Sequence, residues 1–97
     1  MGATDRSRAT AKWRVFTDIG RDLVSKGELN DGERYLRRAL VEARAGFGPA
    51  DAHTAAALNN LAELHRLRQQ WDEAVPLYEE ALAVLVRARG VTQPARC

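Results

Sequence analysis

With 97 residues, the chain has room for one domain and not for two. A composition that is 45% hydrophobic and 29% charged excludes wholesale disorder. The net charge of +2 is spread as arginines among acidic residues, which argues against the concentrated basic face of a nucleic-acid binder.

The single cysteine, Cys97, has no internal partner, so the fold does not rely on an oxidising compartment. No apolar stretch approaches the roughly 20 residues that cross a bilayer, and no apolar signal-peptide core is present. The Met1-Gly2 start lacks the Ser or Thr that myristoylation wants further on, where Arg6 stands instead. These absences make a soluble cytoplasmic protein with no membrane partner the default expectation.

Met1 to Ala11 are small, polar and basic with no hydrophobic period, and read as a flexible N-terminal tail (residues 1–11). From Trp13 the pattern becomes helical. Phe16, Ile19, Gly20 and Leu23 share one face, and Gly27 supplies the left-handed cap that ends the helix. A second helix is expected from Asn30, whose side chain and that of Glu33 have capping-box spacing. Gly32, Tyr35 or Leu36, Ala39, Leu40 and Ala43 form its buried stripe, and Gly46-Phe47-Gly48-Pro49 breaks it. Asp31-Gly32 would suit a β-hairpin turn, but its flanks carry the helical period.

The arrangement then recurs. Leu58, Leu61, Ala62 and His65 make a third stripe, with His53 in the loop before it. A polar Arg68-Gln69-Gln70 corner follows, and Trp71 opens a fourth helix lined by Ala74, Tyr78, Ala81, Leu82 and Leu85. Pro76 falls in or just past the first turn, where a missing amide costs least. This helix is expected to run to about Arg87 and stop at Gly90. The register of Trp13 and Trp71 makes both packing residues.

Ala39 and Ala81, Leu40 and Leu82, and Gly48 and Gly90 are each 42 residues apart. At the same offset small residues recur (Gly20 and Ala62, Gly32 and Ala74), and so do large ones (Phe16 and Leu58, Ile19 and Leu61, Leu36 and Tyr78). Small side chains let paired helices approach, and large ones fill the space beside them. The reading is all-α: two tandem antiparallel helical hairpins, with one unit over 12–48 and an inter-repeat loop plus a second unit over 49–90.

Phe16-x2-Ile19-Gly20-x2-Leu23 with Gly32-x3-Leu36, and Leu58-x2-Leu61-Ala62-x2-His65 with Ala74-x3-Tyr78, resemble the tetratricopeptide repeat. The usual period of about 34 residues is exceeded here by a loop. Leu58-Asn59-Asn60-Leu61-Ala62 and Glu73-Ala74-Val75-Pro76-Leu77-Tyr78 look like the long-period kinesin light chain and nephrocystin type. The departures are Leu23 and His65 where Tyr is usual, and Gln69 where Gly closes the first helix. Residues 91–97 resemble the start of a third repeat.

The resemblance implies a protein or peptide partner lying across a concave face built from the first helix of each pair. The residues it assigns to that face are Arg14, Thr17, Asp18 and Arg21 in the first unit, and Asn59, Asn60, Glu63 and Arg66 in the second. Asn60 matches an Asn with which such repeats hold peptide backbone. Asparagine both donates and accepts, so it grips main chain without demanding a sequence, while neighbouring arginines favour acidic segments. The chaperone-binding carboxylate clamp is not matched, because Thr17 and Arg21 stand where it needs Lys and Asn.

No catalytic residues, metal ligands or cofactor are expected. His65 has Leu61 and Gln69 four residues to either side and no partner ligand on its helix. No Ser/His/Asp set or phosphate-cradling loop can be placed. A competing reading is a structural, self-associating piece of a longer array, since Leu77, Val84, Leu85 and Val86 leave an apolar edge on the last helix. RNA binding, suggested by the pI of about 9.1, ranks last given the small net charge.

Overall fold

The structure is a computed structural model that describes the backbone of residues 2–89 and the side chains of residues 8–88. The expected stop at Gly90, the tail over 91–97 and Cys97 lie outside the described residues. Four helices follow in order: α1 (Gly2–Ser25), α2 (Leu29–Phe47), α3 (Ala52–Leu67) and α4 (Trp71–Arg89). α1 packs on α2 and α3 on α4, as two helical hairpins. α2 and α3 join them, with a lighter contact between α1 and α3.

Each hairpin turns on the same hydrogen-bond motif. After α1, the Glu28 amide donates to the Leu23 carbonyl at 2.9 Å and the Gly27 amide to that of Val24 at 3.0 Å. Gly27 takes φ 82°, the left-handed cap the sequence demanded. After α3, the Gln70 amide reaches the His65 carbonyl at 2.8 Å and the Gln69 amide that of Arg66 at 2.9 Å. Here Gln69 carries a side chain through φ 62°, a conformation that costs an L-residue about 1–2 kcal/mol. The buried His65 ring fixes this corner from inside, with Nδ1 lying 2.8 Å from Gln70 Oε1.

The hairpin axes approach closely because side chains are missing where they cross. A Cβ added to Gly20 would lie 2.7 Å from Leu36 Cδ2, and one on Gly32 would lie 2.7 Å from Val24 Cγ2 and 3.1 Å from the Gly20 carbonyl. In the second hairpin the matching Ala62 and Ala74 are both fully buried. The core joins the hairpins: Leu36, Leu40 and Ala43 of α2 meet Leu58, Leu61 and Leu64 of α3, and Val84 closes it from α4. Burying each large aliphatic side chain stabilises the fold by about 1.5–3 kcal/mol.

Several expectations change at this level. α1 is helical from Gly2, so the helix takes in residues expected to form a tail, and Ala9 is buried beside Gly46. The capping box of Asn30 and Glu33 does not form. Glu28 is the N-cap without a side-chain bond, and Arg68 instead donates to Asn30 Oδ1 and Glu33 Oε1, both at 2.6 Å. His53 belongs to the first turn of α3, not to a loop. Asp51 caps that helix by accepting from the His53 amide at 2.8 Å, and the His53 ring stacks on Phe47 at 3.9 Å.

Two helices, α1 and α4, are also turned relative to the expected stripes. In α1 the inward line is Trp13, Thr17, Gly20 and Val24, which leaves Ile19 exposed, because Val24 must reach Gly32 and Trp13 must reach the core. α2 keeps its expected stripe, and of the pair Tyr35 and Leu36 it is Leu36 that faces inward. In α4, Val84 is inside while Leu82 is 64% exposed, and Trp71, expected to pack, is 53% exposed.

Two substitutions test this account. Gly32→Val is expected to lower stability by about 1–3 kcal/mol, since backbone and Val24 both obstruct the new side chain. Gln69→Gly is expected to raise it by about 0.5–1 kcal/mol by relieving the left-handed residue. Both are read from urea unfolding followed by far-UV circular dichroism.

Candidate functional site

Between α1 and α3 the two first-of-pair helices diverge over α2 and leave a groove of about 440 Å³. Arg21, Val24 and Ser25 form one wall, Asn59, Asn60 and Glu63 the other, and Leu36 lies at the base. The groove exists because Leu36 rises only as far as the Gly20 crossing permits, while α3 is held across it by the hydrophobic core. The result is a polar rim over a small apolar floor.

The structure brings together four of the eight residues that the sequence assigned to a binding face: Arg21, Asn59, Asn60 and Glu63. Arg14 and Asp18 are exposed on α1 but do not line the groove, and Arg66 stands behind Glu63. Thr17 is corrected outright. It is only 6% exposed, and its hydroxyl, like the indole nitrogen of Trp13 one turn earlier, has no hydrogen-bond partner among the described residues. The turn of α1 that seats Val24 and Trp13 carries Thr17 inward with them. Val24, Ser25 and Leu36 were missed. Val24 and Ser25 lie four residues beyond Gly20 and Arg21, so helical spacing was the available signal.

The groove's one carboxylate is held on its outer side. The Tyr78 hydroxyl donates to Glu63 Oε2 at 2.7 Å, and Arg66 Nε and Nη2 donate to Oε1 at 2.9 and 2.6 Å. The Tyr78 hydrogen bond, then that of Arg66, pulls the Glu63 carboxyl below its usual range. Burial and the nearby Glu63 push the Tyr78 phenol upward, so it stays a donor at neutral pH. Arg66 offsets the charge of Glu63, leaving Arg21 as the groove's uncompensated cation. The side chains of Arg21, Asn59 and Asn60 make no hydrogen bond or ion pair to other described residues.

A second polar cluster ties the hairpins together beside the groove. Burial would raise the Glu33 carboxyl, but hydrogen bonds from Arg68 and Arg37 outweigh it and leave Glu33 lowered. Among the described residues, no group of three or more His, Cys, Asp or Glu side chains stands where it could hold a metal ion. No helix among them is long and apolar enough to cross a membrane.

Both carboxyls have folded-state values below the ordinary 4.5, so their stabilisation is present above that value and is lost as pH falls through the lowered ones. Thermal unfolding is therefore expected to shift to lower temperature on acidification below about pH 4.5. Tyr78→Phe should cost about 1 kcal/mol at neutral pH, discounted for the partial exposure of Glu63, and should shrink the acid-dependent loss.

A family model described as tetratricopeptide repeat matches residues 9–85, most of the described chain. No curated protein and no solved structure gave a match.

Proposed function

The chain belongs to the tetratricopeptide repeat family, whose members mediate protein–protein interaction, and from that premise we propose that it is a non-catalytic module taking an extended, acidic peptide in the groove between α1 and α3. The observation that carries this is the set of uncommitted polar groups on the two facing walls of the groove. Arg21 comes from the first hairpin, Asn59 and Asn60 from the second, and none is spent on another described residue. The two amides suit the alternating donors and acceptors of a peptide main chain. Arg21 adds a charge-assisted bond to an acidic side chain. Glu63, already neutralised by Arg66 and bonded by Tyr78, repels such a ligand less than a free carboxylate would. The spacing of 42 residues between Leu40 and Leu82 favours the long-period type of repeat.

A second reading is self-association, favoured by Leu82 and Val86, which stand 64% and 42% exposed on α4.

The first reading is tested by panning the chain against acidic peptide libraries and measuring hits by isothermal titration. Arg21→Ala and Asn60→Ala are each expected to weaken binding about tenfold, corresponding to one lost hydrogen bond of about 1.4 kcal/mol. Unchanged affinity of both variants for every hit would remove the proposal.

A further inference from the structure

The α2–α3 junction shows what this chain does with such a surface when a helix is available. α3 lies over α2, and Ala57, Leu58, Leu61 and Leu64 are exposed by 1% or less. Stepping 42 residues back gives Val15, Phe16, Ile19 and Asp22 on α1, where Val15 is 52% exposed, Ile19 38%, and Phe16 half-buried. The other side of the junction has an open counterpart too. Between α3 and α4 lies a groove of about 400 Å³ whose lining includes Ala55, Asn59, Tyr78, Leu82 and Leu85. The same positions in the first hairpin are Trp13, Thr17, Leu36, Leu40 and Ala43, which belong to the core or are buried beneath α3. Leu40 is 8% exposed and its counterpart Leu82 64%, because α2 has a helix over it and α4 has none among the described residues.

We propose that copies of this chain join head to tail, the α3–α4 groove of one receiving the α1 face of the next in the manner of the internal α2–α3 junction. The proposal rests on the self-association reading and makes it specific. The occupant is a second copy because both halves of the required contact, an aliphatic ridge and an apolar seat, stand open on one molecule in the register of a junction the chain already makes. Charge agrees. Arg68 bridges the internal junction to Asn30 at 2.6 Å, and at the new one Lys26 of the next copy falls opposite Asp72. Asp22 is the opposing feature. It brings a carboxylate, now ion-paired to Lys26 at 3.0 Å, to the place where the internal junction buries Leu64. It holds the association weak.

Sedimentation and light scattering of the full chain over a concentration series test this. Weight-average mass is expected to climb past a dimer, since a heterologous contact leaves an open end at each addition. Leu82→Lys and Ile19→Lys should each hold the chain as a monomer with unchanged helicity. Mixed one to one, they should give a species of twice the 10.8 kDa chain and nothing larger, because each keeps the face the other has lost. Val86→Lys and Val15→Lys replace them on the same faces if either variant loses helicity. Asp22→Leu should lower the concentration needed for assembly roughly tenfold. A wild-type chain that stays monomeric overturns both the proposal and the reading beneath it. A dimer that Ile19→Lys leaves intact, a mixture that stays monomeric, or an Asp22→Leu chain no tighter than wild type overturns the head-to-tail arrangement alone.

Discussion

The seating of α3 across α2 is the contact on which the rest of the structure depends. α3 is the one described helix that touches all three others, and its line of Ala57, Leu58, Leu61 and Leu64 is closed to solvent. Without that contact each hairpin is a pair of helices with one apolar side in water, a unit with little stability of its own. With it, the two hairpins share a core, α1 and α3 stand side by side, and the space between them becomes a groove. Arg68 reinforces the contact at its polar edge by reaching back to Asn30 and Glu33. The salt bridge to Glu33 is mostly shielded, with side chains 18% and 21% exposed, so it fixes the angle between hairpins more firmly than the exposed pairs along the helices can.

How much of this could be read from residues alone follows from which forces were local. Gly27 and Gln69 were legible as helix ends, because cap geometry is a property of a few consecutive residues. The small-residue pairs Gly20 with Gly32 and Ala62 with Ala74 were legible because the same constraint is written twice at one offset. The rotations of α2 and α3 were legible as well, but those of α1 and α4 were not. α1 offers two overlapping apolar lines, one through Phe16, Ile19 and Leu23 and one through Trp13, Gly20 and Val24. The choice between them is made by the neighbouring hairpin, which a periodicity within α1 cannot contain. Thr17 went inward on that account, since it sits on the border between Trp13 and Gly20 on one side of the helix wheel and Arg14 and Arg21 on the other. The second N-cap failed for a similar reason. Asn30 and Glu33 have the spacing of a local pair, but a guanidinium 35 residues past Glu33 competes for both and wins.

The groove is polar in an economical way. Of its charged residues, Glu63 is bonded from two sides by Tyr78 and Arg66, so its carboxylate serves the fold. Tyr78 sits at a position where the first hairpin has Leu36, so its hydroxyl is an addition peculiar to the second unit. That addition converts an acidic residue on the groove wall into a fixed, partly neutralised one, and leaves the basic residue across the groove to set the sign of the field. The two hairpins are thus copies in their packing and differ in their chemistry.

The same division bears on the outer faces of α1 and α4. A repeat stabilised chiefly by contact with its neighbour gains less when it is terminal, and natural arrays answer with a polar outer face. The α1 end carries a partial answer: Asp22 and Lys26 pair on the face where Val15 and Ile19 are also exposed. Among the described residues, the outer face of α4 carries less of one. Leu82 and Val86 occupy successive turns of an exposed line, and the seat beside it is lined by Ala55, Ala81, Leu82 and Leu85 with Asn59 and Tyr78 as its polar members. An edge of that kind is stable in water only at a cost of roughly 25 cal/mol for each Å² left uncovered. The asymmetry between a partly charged leading face and an apolar trailing one gives any contact between them a direction, since like faces would set two Asp22 carboxylates, or two unfilled seats, against each other.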